Sequence, residues 1–407
     1  MTINRSKILQ LPKALQYIRL SQLQCLNRSY STIPQENILP RSQAKSGAVL
    51  LSTRRLIELQ GPQASQFLQG LTTANITPWT EGHPRTVYSA FLNAQGRVLQ
   101  DVFIYPITNS SGAAANEQGF LIDVDANQVG NLLKWLRKYK LRAKVTIREV
   151  PTDEAGVLCT WSDTQQSAST TGINTSDGSS IQDPRAPGFG TRTAGPIQAL
   201  LDQWKTNPHY SAEIDPESRS MDLQYKIRRY TYGIPEGQDE LQYEHALIHD
   251  SNIDYMGGVD FRKGCYVGQE LVIRTQHTGV VRKRILPCIV YDDGREPVEI
   301  TYDASNVAGA FPPQGADIKP LLSNDTKKAK SKGKWIAGVG NVGLALCRLE
   351  DVVGLGPAGD VVEGWEGREW VFEWENQSEE EKRLRVKAFV PEWWRERIRK
   401  GQTNGMA

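Results

Sequence analysis

The sequence predicts an α+β chain of two or three domains that ends in a small β-barrel or sandwich. Two observations carry this. Over 407 residues, 39% are hydrophobic and 23% charged, enough to bury cores but too long for one core at about 100–200 residues per domain. Helix-like and strand-like runs are mixed up to about residue 290, whereas the last third holds short strand-like runs.

Taken in order, Ala48-Val49-Leu50-Leu51 and Leu56-Ile57-Glu58-Leu59 read as strands, Gly61-Pro62 punctuates, and Ala64 to Leu71 reads as a short helix. Ser89 to Leu92 and Val98 to Tyr105 flank Asn93-Ala94-Gln95-Gly96, a hairpin turn. Ile107 to Gln118 is a soft insertion, and Gln128 to Tyr139 is an amphipathic helix with Val129, Leu132, Leu133 and Leu136 inward. Residues 162–182 are too polar to pack and read as a disordered loop. Val280 to Ile289, Trp335 to Val339, Leu344 to Leu349, Trp370 to Trp374 and Leu384 to Val390 read as strands. Between them, 323–334 carries Lys327, Lys328, Lys330, Lys332 and Lys334. Without interleaved aromatic residues for base stacking, it reads as a disordered, solvated loop.

Composition excludes several classes. The mean hydropathy is −0.47, and no apolar run nears the roughly 18 residues of a membrane span. Forty-eight Lys and Arg against 46 Asp and Glu are too balanced for a dedicated nucleic-acid binder. Five scattered cysteines without a C-x-x-C pair exclude a disulfide scaffold and a conventional zinc module. Residues 1–35 differ from the rest. They hold Arg5, Lys7, Lys13, Arg19 and Arg28, no acidic residue, and Ile8, Leu11, Leu15 and Ile18 at helical spacing. That pattern describes a mitochondrial targeting segment, with a matrix-peptidase-like site after Tyr30 that would remove Cys25.

Three motifs read as decoys. Gly338 to Gly343 spells G-x-G-x-x-G but is followed by strand-like Leu344 to Leu349, so it is a glycine-rich turn rather than a dinucleotide cradle. His245 and His249 have zinc-pair spacing, yet Glu244 precedes the first histidine and no third ligand follows, so Tyr243 to His249 reads as a surface helix. Asn109-Ser110-Ser111 is a sequon that a matrix protein never exposes to glycosylation.

Residues 259–286 hold the chemistry. Gly264 and Gly268 bracket a tight connection, Gln269 to His277 is helical, and Glu270 and Arg274 have the spacing of a surface ion pair. Cys265 then lies before a helix N-terminus beside Arg262 and Lys263. Dipole and cations favour a thiolate, so one reading is a reactive or metal-binding cysteine. The other is a small buried hydrophobe. Cys159, Cys288 and Cys347 sit in apolar runs and read as core.

The string Lys263-Gly264-Cys265-Tyr266-Val267-Gly268-Gln269-Glu270 matches K-G-C-[FY]-x-G-Q-E. On it the chain resembles the YgfZ-like proteins of the aminomethyltransferase-like (glycine-cleavage T-protein) superfamily. Arg274-Thr275, His277, Gly279-Val280 and Arg282-Lys283-Arg284 extend the resemblance towards its mitochondrial iron–sulfur assembly branch. Phe67 to Thr73, Phe91-Leu92-Asn93 with Gly96-Arg97, Asp183-Pro184-Arg185 and Tyr232 to Gly237 agree in order, so that it covers roughly residues 47–350.

The resemblance implies a three-domain ring around a channel that binds tetrahydrofolate. Residues 1–46 would be presequence and linker, 47–282 the folate-binding region in two subdomains, 283–392 the C-terminal β-barrel, and 393–407 a tail. Asp101 keeps the second position of the family's acidic pair, and Asn93, Arg229, Tyr232, Lys263 and Gln269 fall among the implied cofactor-side residues. Thr231 stands where the transferases place a pterin-binding glutamate, and a hydroxyl cannot act as a charged bidentate acceptor. Cys265 stands where they generally carry an aspartate. The implied function is a matrix factor for maturing [4Fe-4S] proteins, an assembly factor rather than a turnover enzyme. Its Cys265 would share a [2Fe-2S] cluster with an A-type scaffold, with the [4Fe-4S] client enzymes as indirect partners. The alternatives are a folate-dependent aminomethyl or one-carbon transferase using Asp101 as acid and base, and a folate-binding scaffold whose cysteine is incidental.

Overall fold

The computed structural model describes residues 39–76, 85–107, 119–163, 179–205, 215–292, 296–305, 311–321, 329–356, 359–375 and 381–404. The basic segment 1–35, Cys25 and the sequon at Asn109 lie outside them.

The first sheet has the order β3-β4-β5-β2-β6, from β2 (Arg54–Gln60), β3 (Val87–Leu92), β4 (Val98–Ile107), β5 (Gly119–Asp125) and β6 (Thr146–Glu149), all antiparallel. β4 is buried from Val98 to Pro106 because both faces of the sheet are covered. On one face Ile57, Leu59, Phe91, Ile104 and Ile122 pack with α1 (Ala64–Gln69) and α2 (Val129–Lys140). Val129, Leu132, Leu133 and Leu136 are the buried residues of α2, as their helical spacing predicts. On the other face Tyr88, Ala90, Phe103 and Tyr105 join Val157, Cys159 and Trp161 of a second sheet. Its order is β1-β7-β9-β8, from β1 (Ser46–Leu50), β7 (Ala155–Ser162), β8 (Ser180–Gln182) and β9 (Thr191–Pro196). Helices α3 (Ile197–Lys205), α4 (Arg219–Tyr232) and α5 (Gln269–Thr278) follow.

The last third closes into the expected barrel, in the order β10-β13-β12-β11-β14-β15. The strands are β10 (Lys283–Tyr291), β11 (Asp317–Pro320), β12 (Gly333–Val339), β13 (Val342–Arg348), β14 (Trp370–Glu375) and β15 (Glu381–Ala388), with α6 (Leu349–Val352) after β13. β10 pairs with both β13 and β15, which removes the open edges. The G-x-G-x-x-G string is the β12–β13 hairpin, turning at Gly340 with φ 58.

Four expectations are corrected. The polar loop 162–182 ends early, because Ser180–Gln182 pairs with β9 as a strand. The lysine-rich loop 323–334 also ends early: Lys334 lies in β12 and pairs with Asp317, while Lys332 pairs with Asp351. Tyr243 to His249 is a run of turns rather than a helix, with His245 exposed and His249 buried. Residues from 393 on are not a tail but part of α7 (Glu392–Asn404). Trp394 is fully buried there, edge-on to Tyr255 at 5.4 Å, and the Trp393 indole N–H donates to the Tyr232 carbonyl at 3.0 Å.

Trp394→Ala should therefore cost about 3–5 kcal/mol, the range for a large buried aromatic. Denaturant titration would read it as a lower midpoint with an unchanged slope.

Candidate functional site

The motifs shared with the resembled family gather at two places. The first surrounds Cys265, where three motifs that are far apart in sequence meet. The Asp260 N–H donates to the Thr73 carbonyl at 3.0 Å, the Thr73 hydroxyl to the Gly258 carbonyl at 2.5 Å, and the Val267 N–H to the Gly70 carbonyl at 3.1 Å. The Lys263 ammonium donates to the carbonyls of Gln69, Thr72 and Ala74 at 2.8, 2.6 and 2.8 Å. Burial pushes the Lys263 pKa down to about 8, against the pull of Asp260; the three acceptors help to keep a proton there. Lys263 thus ties the loop to the chain after α1 rather than serving a ligand.

The hairpin turn docks on the other side. The Asn93 side-chain oxygen accepts from the N–H groups of Gln95 and Arg97 at 3.0 and 2.9 Å, which fixes the turn. A Cβ on Gly268 (φ +80) would lie 2.3 Å from the Asn93 carbonyl oxygen. A Cβ on Gly96 (φ +78) would lie 2.9 Å from the Gly268 carbonyl oxygen. Only two glycines permit this approach. Gln69 and Gln269 complete the frame. Gln69 bridges to Asn75 and the Ile76 N–H, and Gln269 accepts from the Tyr266 N–H at 3.3 Å.

Between these tethers Cys265 is exposed, so the buried-hydrophobe reading fails for it. Tyr266 is buried, and burial pushes its hydroxyl up to about 12. An open groove of about 570 Å³ runs past the thiol, lined by Lys263, Gly264, Cys265, Gln269, Glu270, Ile273 and Arg274. Glu270 and Arg274 face this groove and form no ion pair with each other among the described residues. Cys159, Cys288 and Cys347 are buried, as their apolar runs predict. Burial pushes the Cys159 thiol up to about 12 despite Arg192, and the Cys288 thiol well up too. Among the described residues, no group of three or more His, Cys, Asp or Glu side chains could hold a metal.

The second place is a buried ionic lattice between the two sheets. Arg54 spans Asp101 at 3.2 Å and Asp123 at 2.6 Å, and Arg192 spans Asp123 at 2.7 Å and Glu236 at 3.1 Å. Arg185 joins Glu236 at 2.7 Å to Asp183 at 2.6 Å. The Tyr225 hydroxyl donates to Glu236 at 3.0 Å and accepts from Arg185 and Arg192, each at 2.9 Å. Arg229 is held by Glu240 at 2.7 and 2.9 Å. Burial alone would raise the Glu236 pKa, but Arg192, Arg185, Arg229 and Arg54 outweigh it and hold the carboxyl well below the usual range. Arg54, Asp123, Arg192, Tyr225 and Glu240 escaped the sequence reading, since each alone resembles an ordinary surface side chain. The available signal was the charge of Asp123 inside the otherwise apolar run Gly119 to Val124.

The implied folate residues are thereby divided. Asn93, Lys263 and Gln269 belong to the Cys265 frame, and Asp101 and Arg229 to the lattice. Half-buried Tyr232 lies at the end of α4, its hydroxyl 3.4 Å from Arg228. Asp101 is fully buried and accepts from Arg54 and, at 3.0 Å, from the Gly237 N–H. Three of the six thus hold the cysteine loop, two are bound into the lattice, and Tyr232 stands at the end of α4.

Two sheets and a closed C-terminal barrel make up an aminomethyltransferase-like fold. The structure is similar to the glycine cleavage system aminomethyltransferase T from Bartonella henselae, with a TM-score of 0.54 at 14% identity, over 86% of this chain and 87% of that one. Residues 282–396 match the family described as the CAF17 C-terminal beta-barrel domain. The Pyricularia oryzae "Iron-sulfur cluster assembly factor IBA57 homolog, mitochondrial" is 43% identical over 357 residues, 86% of this chain and 85% of the relative. The relative of the same description from Chaetomium globosum is 41% identical over 90% of this chain and 88% of its own length. The chain belongs to this IBA57 family of mitochondrial iron–sulfur cluster assembly factors.

Gly268→Ala should lower stability by at least about 1–2 kcal/mol, from a positive φ and a backbone clash, and speed hydrogen exchange in the Cys265 loop. Glu236 gives a pH prediction. Its folded pKa lies below its ordinary 4.5, so its contribution is complete above that pH and is lost as pH falls through the folded value. Glu236→Gln should flatten the acid limb of a stability–pH profile and cost about 3–5 kcal/mol at neutral pH by leaving buried arginines short of an anion.

Proposed function

We propose that this protein is a matrix iron–sulfur assembly factor that offers Cys265 as its single ligand to a [2Fe-2S] cluster shared with a second protein. The observation that carries the reading is the exposure of this one thiol on a braced loop, with the other described cysteines buried. Biological clusters are commonly held by four thiolates. One cysteine therefore needs further ligands from elsewhere, either a partner's thiols or a small thiol such as glutathione. The partner proposed is an A-type scaffold, and the downstream beneficiaries are [4Fe-4S] enzymes. The groove beside the thiol is open enough to admit a partner's ligating segment, and Arg274 on its wall adds a cation that suits an anionic thiolate-bound cluster.

The transferase alternative has less support. Asp101 is fully buried with its carboxyl oxygens engaged by Arg54 and the Gly237 N–H, so it would have to be uncovered before it could serve a substrate.

Mixing the anaerobic protein with an A-type scaffold carrying a [2Fe-2S] cluster should give a coloured heterodimer. Cys265→Ser should abolish it without lowering thermal stability, whereas Cys288→Ser and Cys347→Ser should retain it. An undiminished visible spectrum in the Cys265→Ser mixture would rule the ligand role out.

A further inference from the structure

We propose that the outer face of α2 and the turn after it dock on an anionic lipid surface. Residues 126–147 contain Lys134, Arg137, Lys138, Lys140, Arg142 and Lys144 and not one Asp or Glu. Lys134, Arg137 and Lys138 recur at steps of three and four, opposite the face that buries Val129, Leu132, Leu133 and Leu136. They are exposed, as are Arg142 and Lys144, and none of the six forms an ion pair among the described residues. Arg148, just beyond, is by contrast neutralised by Glu58 and Glu154. The cations of α2 thus form an uncompensated field of one sign.

At its end stands Leu141, 88% exposed with φ 43, a conformation that favours glycine. An aliphatic side chain is here pushed into solvent on a strained backbone, with Lys138, Lys140, Arg142 and Lys144 within three residues of it in the chain. Beside it lies a groove of about 500 Å³ whose lining includes Gln60, Lys140, Lys144 and Thr146, polar groups suited to a phosphate headgroup. Cations around a projecting apolar tip match a membrane interface, where the charges meet lipid phosphates and the tip enters the acyl boundary.

Nucleic acid fits less well. Trp135 and Tyr139 pack on each other at 4.5 Å, and Trp135 packs edge-on to Phe91 at 5.4 Å, so neither ring is free to stack a base. An acidic protein would need a pocket for Leu141, whereas a lipid surface accepts it anywhere. No described helix is long and apolar enough to cross a membrane, so the contact is peripheral. Val267, two residues from Cys265, packs into the same core as the inner face of α2, so the proposed docking face and the cysteine loop rest on one hydrophobic core.

The test is flotation of the full chain with vesicles of phosphatidylcholine alone or with phosphatidylserine, read together with hydrogen exchange over residues 134–144. Anionic vesicles should bind the protein and slow exchange in that segment, and neutral ones should do neither. Joint Lys134→Gln, Arg137→Gln and Lys138→Gln should weaken binding on the order of a hundredfold. Leu141→Gly accepts the positive φ, so it keeps the fold, and should weaken binding about tenfold. Binding that protects only the basic first 35 residues, or that survives the triple substitution, would overturn the proposal. Polyglutamate that protects residues 134–144 while anionic vesicles do not would overturn it in favour of an acidic protein.

Discussion

The carbonyl of Asn93 sits where a side chain on residue 268 would begin, and the carbonyl of Gly268 crowds the same position on Gly96. This backbone approach decides where the cysteine loop rests. Two positive-φ glycines bring the β3–β4 turn onto the start of α5, and Lys263 draws the other end of the loop onto the carbonyls that follow α1. The loop is thereby braced from two sides by parts of the first sheet. Cys265, between the braces, has no need to bury itself. An exposed thiol on a braced loop would lose little entropy on entering a coordination shell, which favours the proposed ligand role.

The interior follows a different logic. The fold is that of an aminomethyltransferase, yet arginines and carboxylates pair with one another among the aromatic and aliphatic side chains between the sheets. Asp101, the residue best placed by analogy for chemistry, is bound into this lattice by Arg54 and the Gly237 N–H. Buried ion pairs contribute little net stability but are costly to break. Such a lattice therefore resists opening to admit a substrate, while the outward-facing cysteine stays available.

Much of this was legible before any coordinates. The helix at Gln128 to Tyr139 carries its own periodicity, and the strands at Val98 to Tyr105 and Trp335 to Val339 are long enough to declare themselves. The K-G-C-Y-V-G-Q-E string fixed attention on Cys265. What stayed hidden was non-local. Ser180–Gln182 is a strand only because β9 pairs with it, and α7 is held by Trp394 against Tyr255. The lattice joins Arg54 to Asp123 across 69 residues and Arg192 to Glu236 across 44. No local pattern announces such partners. Adjacency in the chain also misleads: Lys263 adjoins Cys265 but reaches for the carbonyls of Gln69, Thr72 and Ala74.

The central claim is that Cys265 alone among the described cysteines faces a shared cluster. Differential alkylation read by mass spectrometry tests it most directly, comparing the free protein, the protein mixed with a cluster-free scaffold, and the coloured complex. The account predicts rapid labelling of Cys265 in the first two and protection only in the third, with Cys159, Cys288 and Cys347 unlabelled throughout. Full reactivity of Cys265 in the coloured complex would contradict it.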